Sequence, residues 1–489
     1  MIIVALYFCI FFASFNFTSS IMAGTFVAQG LGGSTDIASY NVTFFGLGNA
    51  WTFPLAHALG KHFGIRQTLL VSLILFFITI FGCIYARTYF LFVLARFSMG
   101  VATGVFFPLG MEWINRLWNN RQELAFSTLA VITTITPVLG ASLGGWLAYD
   151  YHWSLIFSFQ IPGILFCFYM LYKTAEPLSI TYTKESSFDY LGYILYLLGT
   201  SGLIIFITLG QELDWFRSPF LQKIFVIGLI SLGLFCRREW KQKYPFMDLK
   251  LFSSSFFSIA SLFLTTLYSA YFGMVILLTL WLHLTANYTP IWIAVLLSHM
   301  LIAAFFLYVF LNKGMHRMSP WCSVFLSAGA FTLSCFYSTT FNVEVDFFRL
   351  ALARIMAGFG LAFFLFPLFS LCLHELPKEK HPSGIALFQT LRLLAGTVGI
   401  AAYTTIWYRR CVFYHDRLDS TLPTAKLYAL SLQKKALLEQ ALSKQSTALA
   451  LADVFDLMAW ILLCTTILGG LFLLCTQIRH VQHSQGDSP

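Results

Sequence analysis

The stretch LARFSMGVATGVFFPL, residues 94–109, decides the fold, because it returns as LARIMAGFGLAFFLFPL at residues 352–368. In each copy an arginine stands four positions before a glycine, and a proline follows within one helical span: Arg96, Gly100 and Pro108, then Arg354, Gly358 and Pro367. An arginine inside an apolar run is costly in lipid and is therefore rarely accidental. The recurrence predicts two copies of one membrane-embedded helical unit.

The composition identifies the class of protein around these two stretches. Of the 489 residues, 58% are hydrophobic and only 10% are charged, whereas soluble domains carry about 25% charged residues. A chain this apolar is predicted to be an integral membrane protein with many spans. The net charge of +9 does not indicate nucleic-acid binding, because the basic residues lie in short loops between apolar runs.

The same composition argues against several kinds of site. The ten cysteines are scattered without a CxxC pair, so neither a disulfide framework nor a metal site is expected. A Walker motif is missing from the sequence, which argues against direct use of ATP. We expect no cofactor and no enzymatic activity.

Apolar runs of about 20 residues suffice to cross a bilayer as helices. A cleavable signal peptide is the alternative for the first run, but it lacks a basic start and Asn16 interrupts it, so a membrane helix is favoured. The sequence predicts fourteen spans, near residues 3–24, 39–60, 67–86, 90–114, 124–148, 153–173, 188–209, 219–236, 255–279, 290–311, 321–340, 347–374, 384–406 and 454–477.

Lysine and arginine predict the orientation of these spans. The short odd-numbered loops hold little basic charge beyond Arg87 and Arg217, and the positive-inside rule therefore places the even-numbered loops and both termini in the cytoplasm. The even-numbered loops carry most of the basic residues, including Lys61, Arg66, Arg116, Arg121, Lys173, Lys184, Arg237, Arg238, Lys241, Lys313, Arg317, Lys378 and Lys380.

The repeat divides the chain, because Arg96 lies in span 4 and Arg354 in span 12. We predict an all-α membrane fold with two pseudo-symmetric six-helix halves, residues 1–173 and 255–477, and an inserted helix pair at 188–236. Residues 407–453 should form an extracytoplasmic loop whose second half is helical, and 478–489 a cytoplasmic tail. Internal repeats of this kind are typical of secondary transporters.

Short motifs on these spans carry a family resemblance. In chain order they are Arg96 to Gly104, Pro137-x-x-Gly140 to Gly144-Gly145, Tyr151 to Gly163, Gly210 to Trp215, and Phe388 to Gly399. Together they resemble the fourteen-span drug:proton antiporter family of the major facilitator superfamily, the EmrB/QacA type, over nearly the whole chain.

The resemblance implies a major facilitator fold and a proton-coupled exporter of small amphipathic compounds such as drugs. It implies a bacterial inner membrane, with protons and a small-molecule substrate as partners and a possible periplasmic adaptor of the membrane-fusion type. The alternatives are an uptake or facilitative carrier, or a dedicated metabolite or siderophore exporter, of the same fold.

The sequence departs from the family pattern at two membrane carboxylates. Asn16 stands where the family usually has an aspartate, and Thr208-Leu209-Gly210 stands where Asp-Arg-Gly is common. An asparagine cannot release a proton near physiological pH, whereas a desolvated aspartate can be tuned to do so. The usual proton sites are therefore in doubt.

Four candidate residues carry or adjoin charge within the spans. Arg96 and Arg354 either lie near a proton route, as the resemblance implies for Arg96, or are structural; Arg96 could also snorkel to the headgroups. Arg392 lies well inside span 13, one turn after Gln389, and should face a cavity, carbonyl groups or an anionic substrate.

Other side chains are candidates for replacing the lost carboxylates. Glu112 is the obvious carboxylate in span 4, although an interfacial pair with Arg116 is favoured by the four-residue spacing. His283 and His299 could carry protons in the C-terminal half, although structural histidines are more common.

The motif of span 5 is predicted to act through shape. Gly140, Gly144 and Gly145 allow close approach of another helix, and Pro137 removes one backbone hydrogen bond and permits a bend. This helix is expected to seal one side of the cavity, or simply to pack tightly.

Overall fold

Apolar runs become helices in lipid because each backbone N–H and C=O must be bonded within its own segment. The computed structural model describes residues 1–33, 37–38, 40–117, 122–174, 189–242, 245, 247–311, 319–363, 365–374, 376–377, 380–421 and 432–486. Over this part of the chain the regular structure consists of helices, including short 3-10 turns, without a strand.

The helices follow the predicted runs. The N-terminal half holds α1 (Ile2–Gly30), α2 (Tyr40–Thr52), α3 (Ala56–Phe63), α4 (Ile65–Ile84), α5 (Tyr89–Thr103), α6 (Phe106–Leu117), α7 (Gln122–Asp150), α8 (Leu155–Ser158) and α9 (Ile161–Lys173). The pair α10 (Tyr190–Leu209) and α11 (Pro219–Lys241) follows. The C-terminal half holds α12 (Ser255–Leu284), α13 (Pro290–Leu311), α14 (Pro320–Ser338), α15 (Phe347–Ala362), α16 (Leu365–His374), α17 (His381–Ser420) and α18 (Leu432–Gly486).

Within the described residues, eleven helical segments are long and apolar enough to cross a membrane. The predicted spans near 39–60, 124–148 and 290–311 are outside that set, although α2 with α3, α7 and α13 occupy these positions. The first of the three is interrupted between α2 and α3, and the described apolar part of the third, Pro290–Phe305, is short. The count of fourteen stays a prediction.

The sequence repeat has a structural counterpart. A methyl group on Gly100 of α5 would overlap the carbonyl oxygen of Phe45 in α2. A methyl group on Gly358 of α15 would overlap the carbonyl oxygen of Met300 in α13. In both halves, therefore, the glycine of the motif allows the motif helix to touch the backbone of a neighbouring helix.

The inserted pair packs on itself and on the N-terminal half. At one end Arg238 of α11 binds both carboxylate oxygens of Asp189, which caps α10, with its Nε 2.9 Å from Oδ2. On the face toward α2 the hydroxyl of Tyr196 donates to the Ala50 carbonyl oxygen at 2.9 Å. The pair thus lies against α2 and does not form a separate unit.

Three pairs of helices carry most of the contact between the two halves. α7 packs against α13 and α16, and α2 packs against α17. Nearer the centre the rings of Phe17 and Phe272 lie 5.6 Å apart, which joins α1 to α12. The space between these contacts holds the candidate site.

In the segment predicted as the extracytoplasmic loop, 407–453, the described residues are helical except for Thr421, which ends α17. α17 continues through Ser420 and α18 begins at Leu432, so both are extensions of the flanking helices. Trp407 Nε1 donates to the Thr447 carbonyl oxygen at 3.2 Å, and the Tyr414 hydroxyl donates to Asp453 Oδ2 at 2.9 Å. The sequence predicted a helix in the second half of this segment. It did not predict that α17 continues through the first half.

Candidate transport cavity

A cavity of about 70 Å³ lies between the two halves. A water molecule in the liquid takes up about 30 Å³ and a ligand pocket usually about 300–1,000 Å³, so the cavity in this structure has room for roughly two waters and is too small for a drug-sized ligand. Its lining comes from α1, α2, α5, α6, α7, α12 and α17 and from Phe53: Ala13, Ser14, Phe17, Thr18, Asn49, Phe53, Thr103, Phe107, Pro137, Tyr268, Phe272, Arg392, Leu393 and Gly396.

Arg392 supplies the charge of this cavity. Its guanidinium carbon lies 4.5 Å from the ring centre of Phe107 and 5.4 Å from that of Tyr268. Within the part of the chain that the structure describes, its Nη1 has no hydrogen-bond partner. Gln389, which was predicted to lie on the same helix face as Arg392, is 3% exposed and does not line the cavity. Of these two side chains, Arg392 alone lines it.

Arg96 lies outside the cavity lining, in a polar cage between α1, α2 and α5. Its side chain is fully buried, which excludes the snorkelling alternative. Nε donates to Asn41 Oδ1 at 2.7 Å, and Nη2 donates to the Asn16 carbonyl oxygen at 2.7 Å and to the Ser20 hydroxyl. The ring of Phe45 lies 4.3 Å from its guanidinium carbon.

Asn16 connects the cage to a further side chain. Its Oδ1 lies 3.5 Å from Arg96 Nη1, and its Nδ2 donates to Gln160 Oε1 at 2.7 Å. The partners that we identify for Arg96 and Asn16 are amides, a hydroxyl, carbonyls and a thioether, all neutral. The sequence analysis missed Ser20, Asn41 and Gln160; polar residues interrupting apolar runs were the available signal.

Arg354 has far fewer partners than Arg96. It is also fully buried, but its only hydrogen bond within the described residues runs from Nη2 to the Ser338 hydroxyl at 3.4 Å. Its Nε and Nη1 are without partners there. The two copies of the motif are therefore alike in packing and unlike in bonding.

The motif of span 5 forms a tight contact between α7 and α1. A methyl group on Gly140 would lie 2.9 Å from the Phe15 carbonyl oxygen, and one on Gly144 would lie 2.5 Å from the Ser19 carbonyl oxygen. Gly145 is buried, and Pro137, inside α7, faces the cavity. The helix that contains the motif thus forms one wall of the site.

The remaining candidates lie away from the cavity lining. Glu112 accepts from Arg116 Nη2 at 2.6 Å, as the spacing predicted, and His57 Nδ1 lies 3.4 Å from its other oxygen. His283 is near the end of α12, 3.4 Å from the Tyr288 carbonyl oxygen. His299 Nδ1 is 2.8 Å from the Val295 carbonyl oxygen, with its ring 5.8 Å from that of Phe347.

Comparison with known proteins agrees with this arrangement. The sequence profile described as "Major Facilitator Superfamily" matches residues 6–400. The chain belongs to this superfamily. Its superfamily relatives include the multidrug export protein EmrB of Escherichia coli K12, 28% identical over 399 residues, which are 81% of this chain and 78% of EmrB. The fatty acid resistance protein FarB of Neisseria gonorrhoeae is 27% identical over 409 residues, 83% of this chain and 80% of FarB.

Solved structures agree on the fold. The POT family transporter PepTSo superposes with a TM-score of 0.63 at 13% identity, covering 98% of each chain. A D-xylose-proton symporter superposes with a TM-score of 0.59 at 13% identity, covering 94% of this chain and 95% of the symporter. At such identities the likeness establishes the major facilitator fold of this multi-pass membrane protein and nothing about its substrate.

Proposed function

We propose that the protein is a proton-coupled exporter of small amphipathic compounds, which works by rocking its two halves about the central cavity. The cavity carries the proposal: it is small, lined mainly by aromatic and hydroxyl side chains, and bounded by both halves. A space for two waters can admit a drug-sized molecule only after the halves separate. The name of EmrB, a multidrug export protein, supports export as the direction.

The finer architecture belongs to the same proposal. We place fourteen spans as six, two and six, with both termini in the cytoplasm of a bacterium and the chain in its inner membrane. The extensions of α17 and α18 then project on the outer side, where a periplasmic adaptor of the membrane-fusion type would meet them. The bias of Lys and Arg between loops supports this orientation.

Proton binding is proposed at Glu112. Its carboxylate is paired with Arg116 at 2.6 Å and lies 3.4 Å from His57, and these partners favour the ionised form. Proton uptake at Glu112 therefore requires this pairing to break as the halves move. It also lies on α6, the helix that presents Phe107 to the cavity, so a change in its charge can bias the position of a cavity wall. Asn16 is assigned no proton, because an amide does not titrate.

Everted membrane vesicles test the function. We expect energised vesicles to accumulate amphipathic compounds and to lose them on addition of a protonophore. Glu112→Gln should lower protonophore-sensitive accumulation by about tenfold or more, since its charge cannot change. Glu344→Gln, an exposed glutamate before α15, is the control.

Two results would contradict the proposal. Accumulation that ignores the protonophore would mean a facilitative carrier, which the neutral Asn16 cage would suit. Unchanged coupling in Glu112→Gln would move the proton site elsewhere, with His283 and His299 tested next.

A further inference from the structure

The charge on the cavity wall is of one sign, positive. Of the described residues that line it, Arg392 is charged, and the others are apolar, aromatic, hydroxyl-bearing or amide side chains without a carboxylate among them. We propose that the cavity selects amphipathic anions: an acidic head group, a carboxylate above all, pairs with Arg392 while the apolar body packs on the aromatic wall. This rests on the proposed function and names its class of substrate.

The bonding of Arg392 supports an anion as the missing partner. A guanidinium has five N–H donors, and buried charge without a counter-ion is costly. Here Nη1 has no acceptor within the described residues, while Phe107 and Tyr268 hold the guanidinium against their rings. Held in this way, a planar guanidinium presents its N–H edge to a carboxylate, which can accept two parallel hydrogen bonds.

The same contacts disfavour a cationic substrate. Aromatic cavities can attract lipophilic cations through the faces of their rings. In this cavity Arg392 lies over two of those rings, Phe107 and Tyr268, so a second cation would compete with it for the same faces. It would also meet an uncompensated like charge, which rejects the wrong ligand by repulsion.

We assign the apolar body of the substrate to a second recess. It adjoins the cavity, because Thr18, Pro137 and Phe272 line both spaces. The remaining lining of the recess lacks charge: Ala141, Tyr271, Val275, Ile276 and Thr279. From Tyr268 beside Arg392 to Ile276 in the recess, α12 rises about 12 Å. The volume of the recess is only about 10 Å³ in this structure, so an acyl chain or two fused rings can enter it only once the halves separate.

Binding to the full-length protein in lipid nanodiscs tests the inference. The probes are 2-naphthylacetate, its neutral amide and 2-(2-naphthyl)ethylammonium, which share one apolar body and differ in head-group charge. Titration calorimetry should give at least about tenfold tighter binding for the carboxylate than for the other two. Equal or tighter binding of the ammonium probe would overturn the inference.

Variants assign the effect to the guanidinium. Arg392→Gln should weaken carboxylate binding by at least about tenfold, Arg392→Lys should keep a preference for the carboxylate, and Arg349→Gln, an exposed arginine elsewhere, should change nothing. Unaltered carboxylate affinity in a folded Arg392→Gln protein would overturn the inference.

A change that adds charge provides an independent reading if Arg392→Gln fails to fold. Asn49 lines the cavity, and its Oδ1 accepts from the Thr103 hydroxyl at 3.4 Å, a bond that an aspartate can keep. Asn49→Asp should therefore weaken the carboxylate probe and strengthen the ammonium probe. Retained anion preference in Asn49→Asp would count against the cavity as the site.

A transport assay in vesicles distinguishes failure of this inference from failure of the proposed function. Carboxylate binding without accumulation in vesicles would refute export and leave the anion site standing. Protonophore-sensitive accumulation of lipophilic cations, with the carboxylate excluded, would support export and refute the anion site.

Discussion

Arg96 and Arg354 are equivalent residues of one repeated motif, and the difference in their bonding gives them different energetic roles. Replacing Arg96 by Met should destabilise the protein by about 3 kcal/mol, because the buried oxygens of Asn41 and Asn16 lose their donor. Replacing Arg354 by Met should be neutral or stabilising, because an almost unpaired buried charge disappears and only the long bond to Ser338 is lost. Thermal unfolding of the two purified variants compares them directly, and equal destabilisation would contradict this assignment.

At the residue scale the sequence revealed the unusual arginines but not their surroundings. Arg96 was visible because a charge in an apolar run is costly. Its partners Asn41 and Ser20 stand 55 and 76 positions away, on two other helices, and small polar residues are common in membrane helices for other reasons. Only the packing of α1, α2 and α5 selects them. Arg392 was expected to face a cavity because an arginine so deep in a span has few other places to face, and it lines the cavity in the structure, while its role stays a prediction.

At the scale of the helix, the contact between α1 and α7 depends on two missing side chains. Gly140→Ala and Gly144→Ala should each destabilise the protein by about 1–3 kcal/mol, because the added methyl group would overlap backbone atoms of α1. Gly470→Ala on α18 is the matched control, since nothing lies within 4 Å of its added methyl group. It should be neutral or slightly stabilising, as alanine favours a helix.

The thermal unfolding temperature and the transport rate should both fall in the two α7 variants, because this helix is also a wall of the cavity. If Gly470→Ala lost as much stability as Gly144→Ala, helix propensity and not close packing would govern the result. Sequence indicated close packing at this motif from the spacing of its glycines, and its role in transport stays a prediction. It located the ends of α17 and α18 less well, because charged residues in 407–420 resemble a loop until Tyr414 and Asp453 are found to bond across the two helices.

At the scale of the whole molecule, transport requires the halves to part at the contact between Phe17 and Phe272. Cysteines at both positions, in a background without the ten native cysteines, should be joined by a short cross-linker, since the two rings lie 5.6 Å apart. Cross-linking should abolish transport, and cleavage of the linker should restore it, because α1 and α12 belong to different halves. A pair at Phe15 and Phe159, 5.2 Å apart within the N-terminal half, is the control and should remain active when joined. Full activity of the joined Phe17–Phe272 pair would exclude rocking of the halves.

The single positive charge of the cavity has an electrical consequence. Each elementary charge that crosses a membrane at 100 mV exchanges about 2.3 kcal/mol with the potential. An anion leaving an inside-negative cell while one proton enters moves two charges in the favourable sense, worth about 4.6 kcal/mol at 100 mV. A monovalent cation exchanged for a proton would move none. With Arg392 selecting the cargo, the exporter would be an electrogenic machine, and a potassium diffusion potential imposed with valinomycin should drive it even where the two sides have the same pH.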